Sequence, residues 1–392
     1  MEKQTFIPKQ DELFEQIFQP PEQKYLESLA EECIQPLYRH YFRVEQLQLE
    51  NIPPRRGLEG PPRIFIANHS GMAFPWDAMM LGYGLGQHLR ESEQRRFEEA
   101  PRSIAAPALS HMPQMAPYFL PGWWRKGGAV DATFNNFDAL LSRGYDVIIY
   151  PEGIAGIGKG FNKRYQLQRF STSVVKMSLK HNAKIVPICV INGEYINPFA
   201  YSLDVVNKAA NAVGIPYIPI GPLTILAALF PFMFYAGLPA KLYMIYQKPI
   251  SIKEMVSYRD YEEVSEEEFR LLAHKLKRIM QVELYRGVKK YGQKPFHFME
   301  FLSHLLWKAG KQRKGMLPFL WPDLFQTQWH RYHGGDVGAF RRFLRTLPYL
   351  TPGFGWLFLL WQNWPRISQK AKTIKFALRK GKRTSPTSSE KR

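Results

Sequence analysis

The stretch FDALLSRGYDVIIYPEG, residues 137–153, decides how this chain folds. Its first half places Phe137, Leu140 and Leu141 at helical spacing and stops at Gly144, a residue suited to the left-handed turn that ends many helices. Its second half, DVIIYPEG (146–153), is a short apolar run bounded by turn residues, the pattern of a buried strand. Outward from this pair the alternation repeats. Residues 169–182 read as an amphipathic helix and AKIVPICVING (183–193) as a second buried strand. Upstream, IFIAN (64–68) is an apolar run ending in a polar turn, and a helix is expected after Asp77. Downstream, AKLYMIYQKPI (240–250) supplies another strand. SEEEFRLLAHKLKRIMQVELYRGVKK (265–290) is a long helix with Ser265 as its cap and acidic residues in the first turn. Strands alternating with helices predict an α/β fold: a mostly parallel central sheet flanked by helices, with helical N-terminal and C-terminal appendages.

Three regions follow. Residues 1–55 form an N-terminal helical segment, with Phe14, Ile17, Phe18, Leu26, Leu29, Ile34 and Leu37 at helical spacing. Residues 56–290 form the α/β domain, opened by the Pro/Gly-rich break IPPRRGLEGPP (52–62). Residues 291–392 form an extension with a basic tail. Residues 90–102 are charged and expected to be solvated.

Two segments point toward lipid. No charged residue occurs between Lys208 and Lys241, a length that passes the threshold of about 18 residues for a membrane span. Five prolines (216, 219, 222, 231 and 239) argue against one straight helix, so a lipid-facing or substrate-covering segment is expected. LTPGFGWLFLLWQNWP (350–365) is followed by residues 366–392 with ten Lys/Arg and one Glu. Aromatic residues beside a basic run suit anionic headgroups; the competing reading is a merely solubilising tail.

Composition narrows the partner. The chain has 392 residues, 45% hydrophobic and 14% aromatic, with a formal net charge of +19, which directs attention to polyanions. The charge is spread along the chain with no helix-turn-helix, zinc or RNA-recognition signature, so no nucleic acid is expected. His297, His304, His330 and His333 lack acidic or Cys partners at ligand spacing, so no metal site is expected. Two cysteines, Cys33 and Cys189, are too few for a disulfide framework, and MEKQTFIPKQDELFEQ lacks an apolar signal region. A membrane-associated location on the cytoplasmic face is expected.

Two constellations carry chemistry. Asn68-His69-Ser70-Gly71, with Asp77 beyond it, follows a strand, at the sheet end where active sites of open α/β sheets collect. A carboxylate that orients an imidazole and stabilises its charged form makes the imidazole a useful base. Tyr150-Pro151-Glu152-Gly153 follows another strand and leads into GIGKGFNKRYQLQRF, where glycines permit close backbone approach and Lys159, Lys163, Arg164 and Arg169 suit an anionic group. The glycine spacing is not that of a P-loop.

Taken in order, Asn68–Asp77, Gly127–Thr133, Tyr150–Gly153 and Ile185–Val190 resemble the four blocks of the glycerolipid and phospholipid acyltransferase family, over roughly residues 60–285. The NHSG, PEG, GIGK and RYQLQRF set is similar to the diacylglycerol- and monoacylglycerol-acylating branch. The resemblance implies that His69 takes a proton from a lipid hydroxyl while Asp77 orients it. The hydroxyl then attacks an acyl thioester directly, without a Ser or Cys nucleophile. It implies substrate contacts from Asn68, Ser70, Gly71, Gly128, Glu152, Gly153, Lys159, Arg164 and Arg169. The donor is acyl-CoA or acyl-carrier protein, with no tightly bound cofactor; the partners are the lipid substrate, an anionic membrane surface and, as an alternative donor, the carrier protein.

The chain departs from the family pattern twice. Seven residues separate His69 from Asp77 where four are common, so the loop holding Pro75 and Trp76 must curl back. The second block has Asp131 and no Arg where a phosphate is often held, which favours a neutral acceptor such as diacylglycerol or monoacylglycerol over a lysophosphatidic acid or other lysophospholipid, unless Lys159 or Arg164 replaces that Arg. A reading from another class is a non-catalytic lipid-binding membrane protein.

Overall fold

The structure is a computed structural model that describes residues 14–15, 18–70, 74–107, 109, 115–212, 217–335 and 337–365. Gly71 and the basic tail 366–392 lie outside the described residues. The strands are β1 (Glu45–Leu47), β2 (Arg63–Ala67), β3 (Arg102–Ala105), β4 (Val130–Asp131), β5 (Val147–Ile149), β6 (Lys184–Ile191), β7 (Tyr201–Ser202), β8 (Pro219–Ile220) and β9 (Tyr243–Tyr246). Seven of them form one sheet in the order β1-β9-β6-β2-β5-β3-β4, and β7 pairs with β8 apart from it. Within the seven-stranded sheet the pairings are parallel except β6 with β9, where Ile188 faces Tyr246 and Ile191 faces Tyr243. The mostly parallel α/β sheet expected from the alternating pattern is present.

Strand period two sorts the apolar side chains onto two faces. On β2, Phe65 and Ala67 join one core with Ile148, Val186, Ile188 and Val190. Ile64 and Ile66 join the other with Val147, Ile185 and Cys189. The first face is covered by α1 (Gln23–Leu29), α2 (Trp76–Glu93) and, from the far end of the chain, a helix at Trp321–His333. The second is covered by α4 (Phe134–Ser142), α5 (Ser173–Lys180) and α7 (Glu266–Tyr291), with the short α3 (Trp123–Lys126) preceding β4. Ser265 caps α7 as expected, its hydroxyl accepting from the Glu268 amide while Glu268 reaches back to the Ser265 amide.

Four features correct or refine the sequence expectations. The span 1–55 is not purely helical, because Glu45–Leu47 is an edge strand alongside Tyr243–Ile245. The charged run 90–102 is solvated only in part: Arg90, Glu91, Arg96 and Glu98 are exposed, whereas Arg95 and Arg102 are buried, and β3 begins at Arg102. Burial is tolerable because Arg95 meets carboxylates, while the Arg102 guanidinium donates to the Glu98 carbonyl and lies over the Phe18 and Tyr145 rings. Asp146, fully buried, accepts from Arg55 at 2.8 Å, from the Arg63 amide at 2.8 Å and guanidinium at 2.6 Å, and lies 2.9 Å from Arg95. Glu93 pairs with Arg63 and Arg95, each at 2.7 Å. The described part of the uncharged segment 209–240 is broken into the end of a helix (Asp204–Ala212), β8, α6 (Pro222–Leu229) and a tight turn at Pro231–Phe234. Among the described residues no helix is long and apolar enough to cross a membrane.

The C-terminal region packs on the sheet domain. In α8 (Trp321–His333), Trp321 is fully buried, its ring 5.0 Å from that of Trp76 and 5.2 Å from that of Tyr41. Helices α9 (Ala339–Leu350) and α10 (355–365) follow. Of the C-terminal tryptophans, Trp321 and Trp329 face the domain, whereas Trp361 and Trp364 are exposed.

Candidate active site

Because β2 and β5 are neighbours in register, with Ile66 opposite Ile149, the turns that follow them emerge side by side at the carboxyl end of the sheet. One turn carries Asn68, His69 and Ser70; the other carries Tyr150, Pro151, Glu152 and Gly153. The rings of His69 and Tyr150 lie 4.3 Å apart.

His69 Nδ1 is 2.9 Å from Asp77 Oδ2, with the imidazole slightly exposed and the carboxylate buried. The wide sequence spacing therefore does not separate the two side chains. Asp77 sits in the first turn of α2, where the positive end of the helix favours a carboxylate. Its Oδ2 also accepts the Ser70 amide at 3.2 Å, and its Oδ1 accepts the Ala78 amide at 2.8 Å. With Nδ1 directed at the carboxylate, Nε2 is the imidazole nitrogen left to meet a ligand.

Glu152 joins the two turns from beneath. One carboxylate oxygen accepts the His69 amide at 3.2 Å, and the other accepts the Gln168 amide. Lys159, itself buried, lies 3.8 Å from Glu152 and 3.7 Å from Glu194. Burial pushes the Glu194 carboxyl above its usual range, against the pull of Lys159. Gly153 has φ +56°, a left-handed conformation that suits glycine, and its amide closes the turn on the Tyr150 carbonyl at 2.9 Å. Gly156 is needed for another reason, since a Cβ there would come within 2.7 Å of Glu152 Cβ.

These contacts revise several expected roles. Asn68 is a strut: its amide donates to the Val190 carbonyl at 2.9 Å and accepts from the Val190 amide at 2.7 Å, so both ends are used by the scaffold. Ser70 is buried with its hydroxyl against Gly193. Gly128, at φ +83°, lies where a Cβ would be 2.5 Å from Arg102, so packing rather than ligand approach explains that glycine. Lys159 is held between two carboxylates and does not replace the missing Arg. Arg164 is exposed and lies over the Phe161 ring at 5.0 Å. Arg169 does line the cavity beside the site. Asp131 is paired with Arg125 at 2.8 Å, which neutralises the charge that its place in the second block implied. Gly71 lies outside the described residues.

The cavity has a volume of about 1370 Å³ and includes His69, Tyr150, Glu152 and Gly153 in its wall. Much of the rest is apolar, from Leu26, Ile34, Met79, Tyr83, Phe97 and Trp124. Among the described residues, Arg90 and Arg169 are its lining guanidinium groups, against the carboxylates of Glu27, Glu31 and Glu152. Two tyrosines were not singled out by sequence. The Tyr150 hydroxyl is buried, with no hydrogen-bond partner among the described residues. Burial first, then the nearby Asp77 charge, pushes both its hydroxyl and that of Tyr217 upward, so both stay neutral. Tyr150 directly precedes the Pro-Glu-Gly turn and was legible as a neighbour; Tyr217 reaches the site only through tertiary folding.

Replacing Glu152 tests the brace. An amide in Glu152→Gln turns an N–H toward one of two backbone N–H groups and leaves Lys159 less neutralised. The expected cost is about 1–3 kcal/mol of stability, measured by denaturant unfolding. An unchanged midpoint would assign the carboxylate no bracing role.

Comparisons with known proteins agree with this layout. Residues 43–191 match the family model described as Acyltransferase, a span that holds both turns, Asp77 and the β2, β5 and β6 strands. An uncharacterized protein of Mycobacterium leprae is 33% identical over 217 residues, covering 54% of this chain and 52% of its own. Uncharacterized proteins of Mycobacterium bovis and Mycobacterium tuberculosis are each 33% identical over 224 residues, covering 56% of this chain and 55% of theirs. The chain thus spans about half the length of the curated relatives it matches. The crystal structure of the 1-acyl-sn-glycerophosphate (LPA) acyltransferase PlsC from Thermotoga maritima aligns over 71% of this chain and 84% of that one. Its identity is 15% and its TM-score 0.37, too loose an overlay to support residue-level comparison. Residues 43–191, with His69, Asp77 and the Pro151-Glu152-Gly153 turn among them, are thus the part of the chain that is similar to that acyltransferase family.

Proposed function

We propose that the chain transfers a fatty acyl group from an acyl thioester, acyl-CoA or acyl-carrier protein, to the hydroxyl of a neutral glycerolipid such as diacylglycerol or monoacylglycerol. The observation that carries this reading is the 2.9 Å His69–Asp77 contact at the mouth of a large, mainly apolar cavity. Nε2 of His69 takes the acceptor's hydroxyl proton as the oxygen attacks the thioester carbonyl, and Asp77 stabilises the imidazolium that forms. Collapse of the tetrahedral intermediate breaks the C–S bond, and the departing thiolate recovers the proton. An acyl chain and a diacyl acceptor are both apolar, which suits the lining. A neutral acceptor is favoured because the two lining arginines are outnumbered by three lining carboxylates.

Incubating the full chain with radiolabelled acyl-CoA and a panel of lipid alcohols tests the assignment. Label is expected in triacylglycerol or diacylglycerol from the neutral acceptors. Preferential labelling from lysophosphatidic acid would replace this acceptor class, and no transfer to any lipid would leave the non-catalytic lipid-binding reading.

We also propose association with an anionic membrane surface, on its cytoplasmic face. Support comes from α9, which exposes Phe340, Phe343, Leu344 and Leu347 at spacings of three and four, and from α10, which exposes Leu357, Phe358, Trp361 and Trp364. The Trp356 indole bonds the Ala227 carbonyl at 2.7 Å and so ties α10 to α6, which exposes Ile225, Leu226 and Leu229. The double substitution Trp361→Glu with Trp364→Glu is expected to weaken binding to phosphatidylserine-containing vesicles by about 10-fold, read by sedimentation. Undiminished binding would move the contact to another face.

A further inference from the structure

A second, smaller recess of about 230 Å³ lies between the segment that follows the Pro-Glu-Gly turn and helix α7. Its wall is Arg169, Phe170, Thr172, Arg270, Ala273, His274 and Lys277. Three guanidinium or ammonium groups and an imidazole converge there, and no carboxylate lines it among the described residues. Arg270, His274 and Lys277 are spaced by four and three, so they share one face of α7. Arg270 makes an exposed pair with Glu267 at 3.1 Å, screened by solvent. Thr172 immediately precedes α5, so the positive end of that helix adds to the local field. This concentration of cations is the reverse of the main cavity, where carboxylates outnumber arginines.

The two spaces adjoin across a shared wall. Arg169, Phe170 and Thr172 line both. The shared segment is fixed to the catalytic turns, because the Gln168 amide bonds Glu152 and the Ser171 amide bonds the Pro151 carbonyl at 2.9 Å. His69 and Asp77 do not line the recess, so a ligand held there reaches His69 only through an intervening arm.

Resting on the acyltransferase reading above, we infer that this recess holds the phosphate of the thioester donor's pantetheine arm, in coenzyme A or on a carrier protein. The donor has the required layout: an apolar chain, a reacting thioester, a long arm with two amides, then phosphate. In a phosphorylated glycerol acceptor the phosphate stands only a few bonds from the reacting hydroxyl, which would keep it beside His69. Guanidinium and ammonium groups form charge-assisted bonds with phosphate oxygens, and two or three such groups suffice to hold one.

The test uses the full chain and separates this inference from the function it rests on. Coenzyme A, and in a parallel arm apo- and holo-acyl carrier protein, are titrated calorimetrically into the wild type, Lys277→Glu, Arg270→Glu and His69→Ala. Each charge reversal is expected to weaken coenzyme A or holo-carrier binding about 10-fold, and His69→Ala to leave it unchanged. In turnover, the reversals are expected to raise the donor KM and spare the acceptor KM. Weakening confined to the holo-carrier arm assigns the phosphate to the carrier protein, and weakening confined to coenzyme A assigns it to the free cofactor; either supports the site. Donor binding unaltered by both reversals overturns it, as does a rise in the KM of a phosphorylated acceptor with the donor KM constant. Absence of acyl transfer by the wild type, with donor binding still lost in the reversals, would refute the proposed reaction and not the site.

Discussion

His69→Ala is expected to lower kcat/KM for acyl transfer by about 1,000-fold, because in the proposed mechanism it removes the base that takes the hydroxyl proton as the C–O bond forms. The imidazole is not a core-filling group: it is slightly exposed at the cavity wall, so the variant should keep its fold and its vesicle binding. Single-turnover consumption of acyl-CoA in the presence of the acceptor reads the chemical step directly. Asp77→Asn is the matched control. An asparagine cannot stabilise the imidazolium, and its oxygen is free to accept from Nδ1 only in one amide orientation, so a loss of about 100-fold is expected. Near-normal turnover in the His69 variant would remove the general-base mechanism, whatever the acceptor.

Asp146→Ala is expected to destabilise the domain by about 3–5 kcal/mol, the cost of leaving buried cations without their carboxylate. Arg55, Arg63 and Arg95 all converge on Asp146, and Glu93 can compensate only the last two. The site of the change is remote from the chemistry, at the start of β5 and opposite the end that carries the Pro-Glu-Gly turn. It nevertheless joins β5 to β2, since the Arg63 amide donates to the same carboxylate. Denaturant unfolding measures the loss, and a penalty under about 1 kcal/mol would show the arginines to be solvated when Asp146 is absent.

Several site features were readable one residue at a time. The apolar runs before Asn68 and Tyr150 placed both turns at strand ends, and the blocks they belong to named His69, Asp77 and Glu152. The eventual work of these residues was less readable. Glu152 was expected in the acceptor pocket. It does line the cavity, yet both carboxylate oxygens are occupied by backbone amides, from His69 and Gln168. Lys159 looked like a phosphate ligand because it lies in a glycine-rich basic loop, but the fold draws it between Glu152 and Glu194. Arg270, His274 and Lys277 read simply as the polar side of α7, since nothing in a helical pattern says what stands opposite it.

What the amino-acid order determined by itself was the part governed by local physics. Period and turn chemistry specified the strand–helix alternation, the capped start of α7 and the positions of the two turns that follow β2 and β5, because each depends on neighbours within a few residues. Tertiary structure alone decided which distant groups meet. It brought Asp77 back to His69 across a long loop, buried Arg95 against Asp146, set β9 antiparallel to β6, and packed Trp321 on Trp76. Those outcomes rest on long-range pairing and desolvation, whose energies depend on the partner found in space and leave no periodic trace along the chain.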